Sequence, residues 1–141
     1  MSSKDPQEIT RIRTFLTSKG LELLEDEAPP DSMGCRIIRH GNAQMQIHLD
    51  RDRGGYWIIN FYVPQNSPDI VASVPSLYSL ILEEEYDPDN LPLVTQAEFL
   101  EKHWSTILDL LSPQKVAETD AQTDAICRRY LKRMPPNQDW H

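Results

Sequence analysis

The chain is poor in the arrangements that carry most protein chemistry. It has two cysteines, Cys35 and Cys127, far apart in sequence. Neither begins a Cys-x-x-Cys pair, so the spacing of a thiolate metal site is missing. Two lone cysteines in a chain without a secretion signal read as reduced thiols. The four histidines, His40, His48, His103 and His141, contain no His-x-x-x-His or His-Glu-x-x-His pair, which excludes helix-borne zinc sites of that kind. There is no Gly-x-Ser-x-Gly, and Cys35 has only Arg36 beside it to activate a thiol, so it reads as structural. Gly54-Gly55 lacks the context of a phosphate-cradling loop and reads as a hairpin turn. No apolar run approaches the roughly 18 residues that a membrane helix needs. These absences lead us to expect no catalytic residue, no metal, no cofactor and no membrane partner. The chain reads as non-enzymatic.

Glycine is scarce too, with five against eleven prolines, so connections are expected to be rigid and proline-punctuated. No repeat or low-complexity segment is visible. The start, Met1-Ser-Ser-Lys-Asp-Pro, has no apolar segment and reads as cytosolic.

What the chain does have is unevenly spread charge. Residues 1–63 carry a net of −1, residues 64–124 hold twelve acids against Lys102 and Lys115 for a net of −10, and residues 125–141 carry +3. A strongly acidic stretch repels nucleic acid and attracts basic partners. The basic end, Arg128-Arg129-Tyr130-Leu131-Lys132-Arg133, complements the C-terminal end of its own helix. It could also pair with the acidic middle or with a partner.

The length fits one domain, and the patterning predicts an α+β fold. Residues 6–19 read as a helix with Asp5 as cap and Pro6 at its first position, ending at Gly20. Residues 21–26 form a possible strand. Cys35–Arg39 and Ala43–Leu49 read as a hairpin around a tight Gly41-Asn42 turn, which would pair His40 with Ala43. In the second strand Met45, Ile47 and Leu49 alternate with polar residues, so one sheet face is expected to be wet, with His40 and His48 solvated. Asp50 to Gly55 makes a second hairpin connection, and Tyr56–Val63 reads as a central strand. Residues 64–75 read as a connection and 76–85 as a short helix. Thr95 and Glu98 suggest a capping box for a helix running to about Leu111, and a last helix spans about 114–133. The expected architecture is a three- to four-stranded antiparallel meander (about 21–63), with an N-terminal helix and two to three C-terminal helices (about 76–133) packed on one face. Its expected core is Phe15, Leu16, Ile47, Leu49, Ile59, Phe61, Trp104, Ile107 and Leu108.

The densest local signal is Glu83-Glu84-Glu85-Tyr86-Asp87-Pro88-Asp89. It lacks the glycine and terminal glutamate of a calcium-binding loop. Two main readings stand: a solvated face, or a docking edge formed by Glu83, Glu84, Glu85, Asp87 and Asp89 with Tyr86 as aromatic anchor. Weak cation binding is a third.

Phe15-Leu16-Thr-Ser-Lys-Gly20-Leu21, Met45–Leu49, Asp52-Arg-Gly-Gly-Tyr-Trp-Ile-Ile-Asn-Phe61 and Trp104 on a late helix follow one another along residues 15–111. In this order the chain resembles small acidic bacterial immunity-type proteins and uncharacterised α+β proteins of toxin neighbourhoods. The resemblance implies an enzymatically inert protein that plugs a toxin's active site. The long, partly basic C-terminal helix departs from that pattern. We therefore expect a cytoplasmic protein-binding module that docks a basic protein, with an immunity or inhibitor role as its sharpest form. The alternative is an adaptor or assembly subunit of a larger bacterial complex, using exposed Trp and Tyr residues.

Overall fold

The computed structural model describes residues 6–27, 35–52, 54–85 and 91–133. The elements run α1 (Gln7–Ser18), β1 (Glu22–Glu27), β2 (Arg36–Gly41), β3 (Gln46–Arg51), β4 (Trp57–Tyr62), β5 (Ile70–Ser73), α2 (Val74–Leu82), α3 (Leu93–Lys102), α4 (Trp104–Leu110) and α5 (Val116–Arg133). The fold is α+β, and its sheet has five strands, all antiparallel, in the order β1-β2-β3-β4-β5.

Ile9, Ile12 and Leu16 recur at helical spacing and bury one face of α1. The helix stops where Gly20 takes φ 83°. There the Leu21 N–H donates to the Leu16 carbonyl at 3.0 Å and the Gly20 N–H to the Thr17 carbonyl at 3.1 Å, a closure that needs the left-handed residue glycine supplies. Pro6 itself is the cap residue of α1; Asp5 lies outside the described residues.

Register decides the two faces of the sheet. Ile38 pairs with Leu49 and Leu49 with Ile59; His40 pairs with Ile47, Ile47 with Phe61, and Phe61 with Ala72. Paired residues share a face, so these side chains make one inner face, and all are buried. The core closes with Leu77 from α2, Leu100 from α3 and Ile107 from α4. Each fully buried leucine or isoleucine contributes about 1.5–3 kcal/mol relative to exposure. α1 packs on β1 and β2, α2 on β4 and β5, and α3 on β4, while α5 lies along β5.

Several expectations need correction. The fifth strand lies within residues 64–75, which read as a connection. It is only four residues long, with Pro68 and Pro75 close on either side. The capping box sits at its end and not at Thr95. Ser73 Oγ accepts from the Ser76 N–H at 3.2 Å, and Ser76 Oγ accepts from the Ser73 N–H at 2.9 Å. Thr95 lies inside α3, which starts at Leu93 after Pro92. The single long helix is two, broken at His103. Restarting the helix at Trp104 points Ile107 inward and leaves Leu108 41% exposed, so Leu108 is not core. Gly41 is a strand residue and not part of a tight turn. β2 and β3 join through residues 42–45, and His40 pairs with Ile47, not Ala43. A Cβ on Gly41 would sit 2.8 Å from Leu24 Cδ1, so glycine is needed there for close packing. No helix among the described residues is long and apolar enough to cross a membrane.

Candidate functional site

The acidic segment begins where α2 ends. Glu83 takes φ 56°, the left-handed conformation in which a helix terminator is usually glycine. Among the described residues it is the one non-glycine with positive φ. The Ser79 hydroxyl donates to the Glu84 carbonyl and fixes the turn. Glu83, Glu84 and Glu85 are all exposed. They sit at the negative end of the α2 dipole, where carboxylates are unfavourable. Tyr86, Asp87 and Asp89 lie outside the described residues.

The rest of the acidic stretch is not one surface. Glu101 takes a two-pronged ion pair from Arg11, through Nε at 2.8 Å and Nη2 at 2.6 Å, which holds the Glu101 carboxyl below its usual range. Asp109 pairs with Lys115 at 2.6 Å, and Asp124 with Arg128 at 2.8 Å. Asp120 has a carboxyl pushed up, first by burial and then by Asp124 and Asp69. The linear charge sum thus overstates the free negative charge; Glu83–Glu85 is the densest run of exposed acids among the described residues.

The outer face of the sheet is polar but not fully wet. Its residues include Arg39 on β2, Gln46, His48 and Asp50 on β3, and Asn60 and Tyr62 on β4. His48 is only 8% exposed, contrary to expectation. Its ring lies 4.0 Å from that of Tyr62, and its Nε2 is 3.1 Å from Gln46 Oε1. Burial holds the His48 imidazole below its ordinary pKa and pushes the Tyr62 phenol up. Asn60 Nδ2 donates to Asp50 at 2.7 Å. Arg39, Gln46, His48 and Tyr62, with Pro64 and Pro68, border a depression of about 440 Å³ next to Leu24 and Glu25.

His40, also expected at the surface, is 1% exposed on the inner face. Its Nδ1 lies 2.9 Å from the Leu21 carbonyl, which can only accept, so Nδ1 carries the proton. Its Nε2 is the one buried side-chain polar atom among the described residues with no partner. His40 borders a second depression, about 540 Å³, between β1 and the Thr10, Thr14 and Thr17 face of α1.

The two ends of the sheet differ. Along β5, α5 covers the edge, and the buried Thr123 hydroxyl donates to the Val71 carbonyl at 2.8 Å. Among the described residues β1 has a partner strand on one side only, and it is largely exposed.

No group of three or more His, Cys, Asp or Glu among the described residues is placed to hold a metal ion. Cys35 and Cys127 form no disulfide among the described residues and are half-buried. Trp57 and Trp104 are buried in the core, which removes them as docking residues for an adaptor. Sequence reasoning missed Gln96, Thr119 and Thr123, all buried polar residues bonded to main-chain carbonyls. Gln96 had a signal, a lone polar residue on an otherwise apolar helix face; Thr119 and Thr123 share the buried face of α5 with Val116 and Ile126, where the sequence has too few apolar residues to mark it. Compared with known proteins, the chain matches no family model, no curated protein and no solved structure.

Proposed function

We propose that the chain is a protein-binding module that acts by contact and not by turnover, docking a basic protein through its acidic surface, with inhibition of that protein as the sharpest form of the role. The observation that carries this reading is the placement of Glu83-Glu84-Glu85. The run begins with a non-glycine residue in the left-handed conformation and lies at the negative end of α2. Both features cost the fold stability. Residues held against stability are characteristic of sites that do something else. Exposed carboxylates at an interface rim steer a cationic partner and speed its encounter.

The test is a pull-down from native lysate, followed by association kinetics of the recovered partner at two salt concentrations. Replacing Glu83, Glu84 and Glu85 together by Gln is expected to slow association and flatten its salt dependence. An unchanged on-rate at low salt would reduce the segment to a solvated face.

A further inference from the structure

We propose that the open edge of β1 takes an extended basic segment of a partner protein as an added strand. This goes beyond the acidic-segment reading, because it concerns a different surface and stands or falls separately.

Among the described residues the sheet protects one edge and leaves the other uncovered. At β5 the Thr123 hydroxyl occupies a main-chain carbonyl, and Val71, Ala72 and Ser73 are buried. At β1 no described element lies beyond the strand, and its outward-facing main-chain groups are available for a ladder. Leu23 and Leu24 are 46% and 53% exposed on that strand. They lie on opposite faces: Leu23 pairs with the inner-face His40, while Leu24 packs over the outer face of Gly41.

Each leucine borders one of the two depressions, about 540 Å³ on the inner side and about 440 Å³ on the outer. An added strand points successive side chains to opposite faces, so it would deliver them alternately to these two hollows. In the inner one, the His40 ring donates from Nδ1 to the Leu21 carbonyl, and its Nε2 is a buried ring nitrogen without a partner among the described residues. A hydroxyl-bearing side chain suits it.

Charge selects the occupant. Asp26 is paired with Arg36 at 2.8 Å, and Glu25 with Arg39. Glu22 and Glu27, at the two ends of the strand, are exposed and make no ion pair with another described residue. A second copy paired antiparallel on β1 would set Glu22 against Glu27, carboxylate against carboxylate, which opposes a homodimer. A segment with lysine or arginine near both ends meets the same carboxylates favourably.

The probe is a fluorescent peptide of about nine residues, long enough to span the strand, with lysines at both ends and leucine alternating with threonine between them. Binding to the full chain is followed by anisotropy, and amide and imidazole signals by NMR. Saturable binding below about 1 mM is expected, with slowed amide exchange centred on residues 22–27 and a shifted His40 ring signal. Glu22→Lys with Glu27→Lys should weaken it about tenfold, while the Glu83, Glu84 and Glu85 to Gln variant binds as before. Methylating alternate backbone nitrogens of the peptide should abolish binding, because a ladder needs those donors. The proposal is overturned by no saturable binding, by equal binding of the methylated peptide, by protection elsewhere than β1, or by a dimer of the free chain protected at β1.

Discussion

Gln96 hydrogen-bonds Trp57 as a neighbouring strand would. Its Nε2 donates to the Trp57 carbonyl at 2.9 Å, and its Oε1 accepts from the Ile59 N–H at 3.2 Å. β5 pairs only with Asn60 to Tyr62 of β4, so the side of β4 before Asn60 lacks a strand there. A single side chain from α3 completes the ladder and ties helix to sheet. The same Nε2 also donates to the Leu91 carbonyl at 3.0 Å.

Gln96→Leu should therefore cost about 2–6 kcal/mol, since it leaves the two buried main-chain groups of β4 unpaired at about 1–3 kcal/mol each. Gln96→Glu should be no better, because it removes the donor and turns a carboxylate toward carbonyls. Urea denaturation at unchanged slope measures this. A loss under about 1 kcal/mol would show that water replaces the side chain there.

The core makes a paired prediction. Ile59 is buried between Leu49 of β3 and the helices, so Ile59→Ala should cost about 2–5 kcal/mol. Leu108 follows the helix break at His103 and faces out, so Leu108→Ala should cost under about 1 kcal/mol. Comparable losses at both positions would mean that α4 is rotated relative to its neighbours.

The acidic turn makes a prediction of opposite sign. Replacing Glu83, Glu84 and Glu85 by Gln should raise the melting temperature of the free protein, because it removes like charges from the negative end of α2. The gain should shrink with added salt. Coupled to a slower association with the partner, this would mark a trade of stability for binding; a fall in melting temperature would contradict it.

The central strands were legible because their signal is local. Ile47 and Leu49 alternate with polar neighbours, and Trp57 to Tyr62 is β-branched and aromatic. β5 was not legible, since Ile70 to Ser73 is too short for a periodicity and has prolines close on both sides. The histidines were misplaced for a different reason. Polar alternation marks the face of a strand but says nothing about what covers it, and the outer face at His48 is closed over by Tyr62. His40 is on the apolar face: its partner is Ile47, and the assumed pairing with Ala43, an even slip of four residues, keeps the same face, so His40 was misplaced by its polarity and not by its register. The acidic stretch was read as one surface because a running charge sum cannot see Arg11 meeting Glu101 from 90 residues away. The candidate segment at Glu83 was visible by its density alone, whereas the β1 edge and its two hollows required the sheet order.

His48 makes the protein's stability depend on pH in a defined window. Burial comes first among the causes that lower its pKa; Arg39 adds to it, while Asp50 and Glu25 act the other way. In the unfolded chain the imidazole takes up a proton near pH 6.5, but in the folded protein it resists until the pH is lower. Between those two points the unfolded state binds more protons, so stability rises with pH there. His48 thus contributes fully above about pH 6.5, and its contribution is lost as the pH falls through the folded value. His48→Phe keeps a ring against Tyr62 and removes the titration. Stability measured from pH 7.5 to pH 5 should decline less steeply in that variant than in the parent chain. Asp26, held below the usual carboxylate range by Arg36, acts on both proteins alike and only at lower pH. The His48 ring signal followed by NMR should titrate below 6.5. A midpoint at or above that value, or parallel stability curves for the two proteins, would show that the ring is solvated and that the outer face beside β1 is open to water.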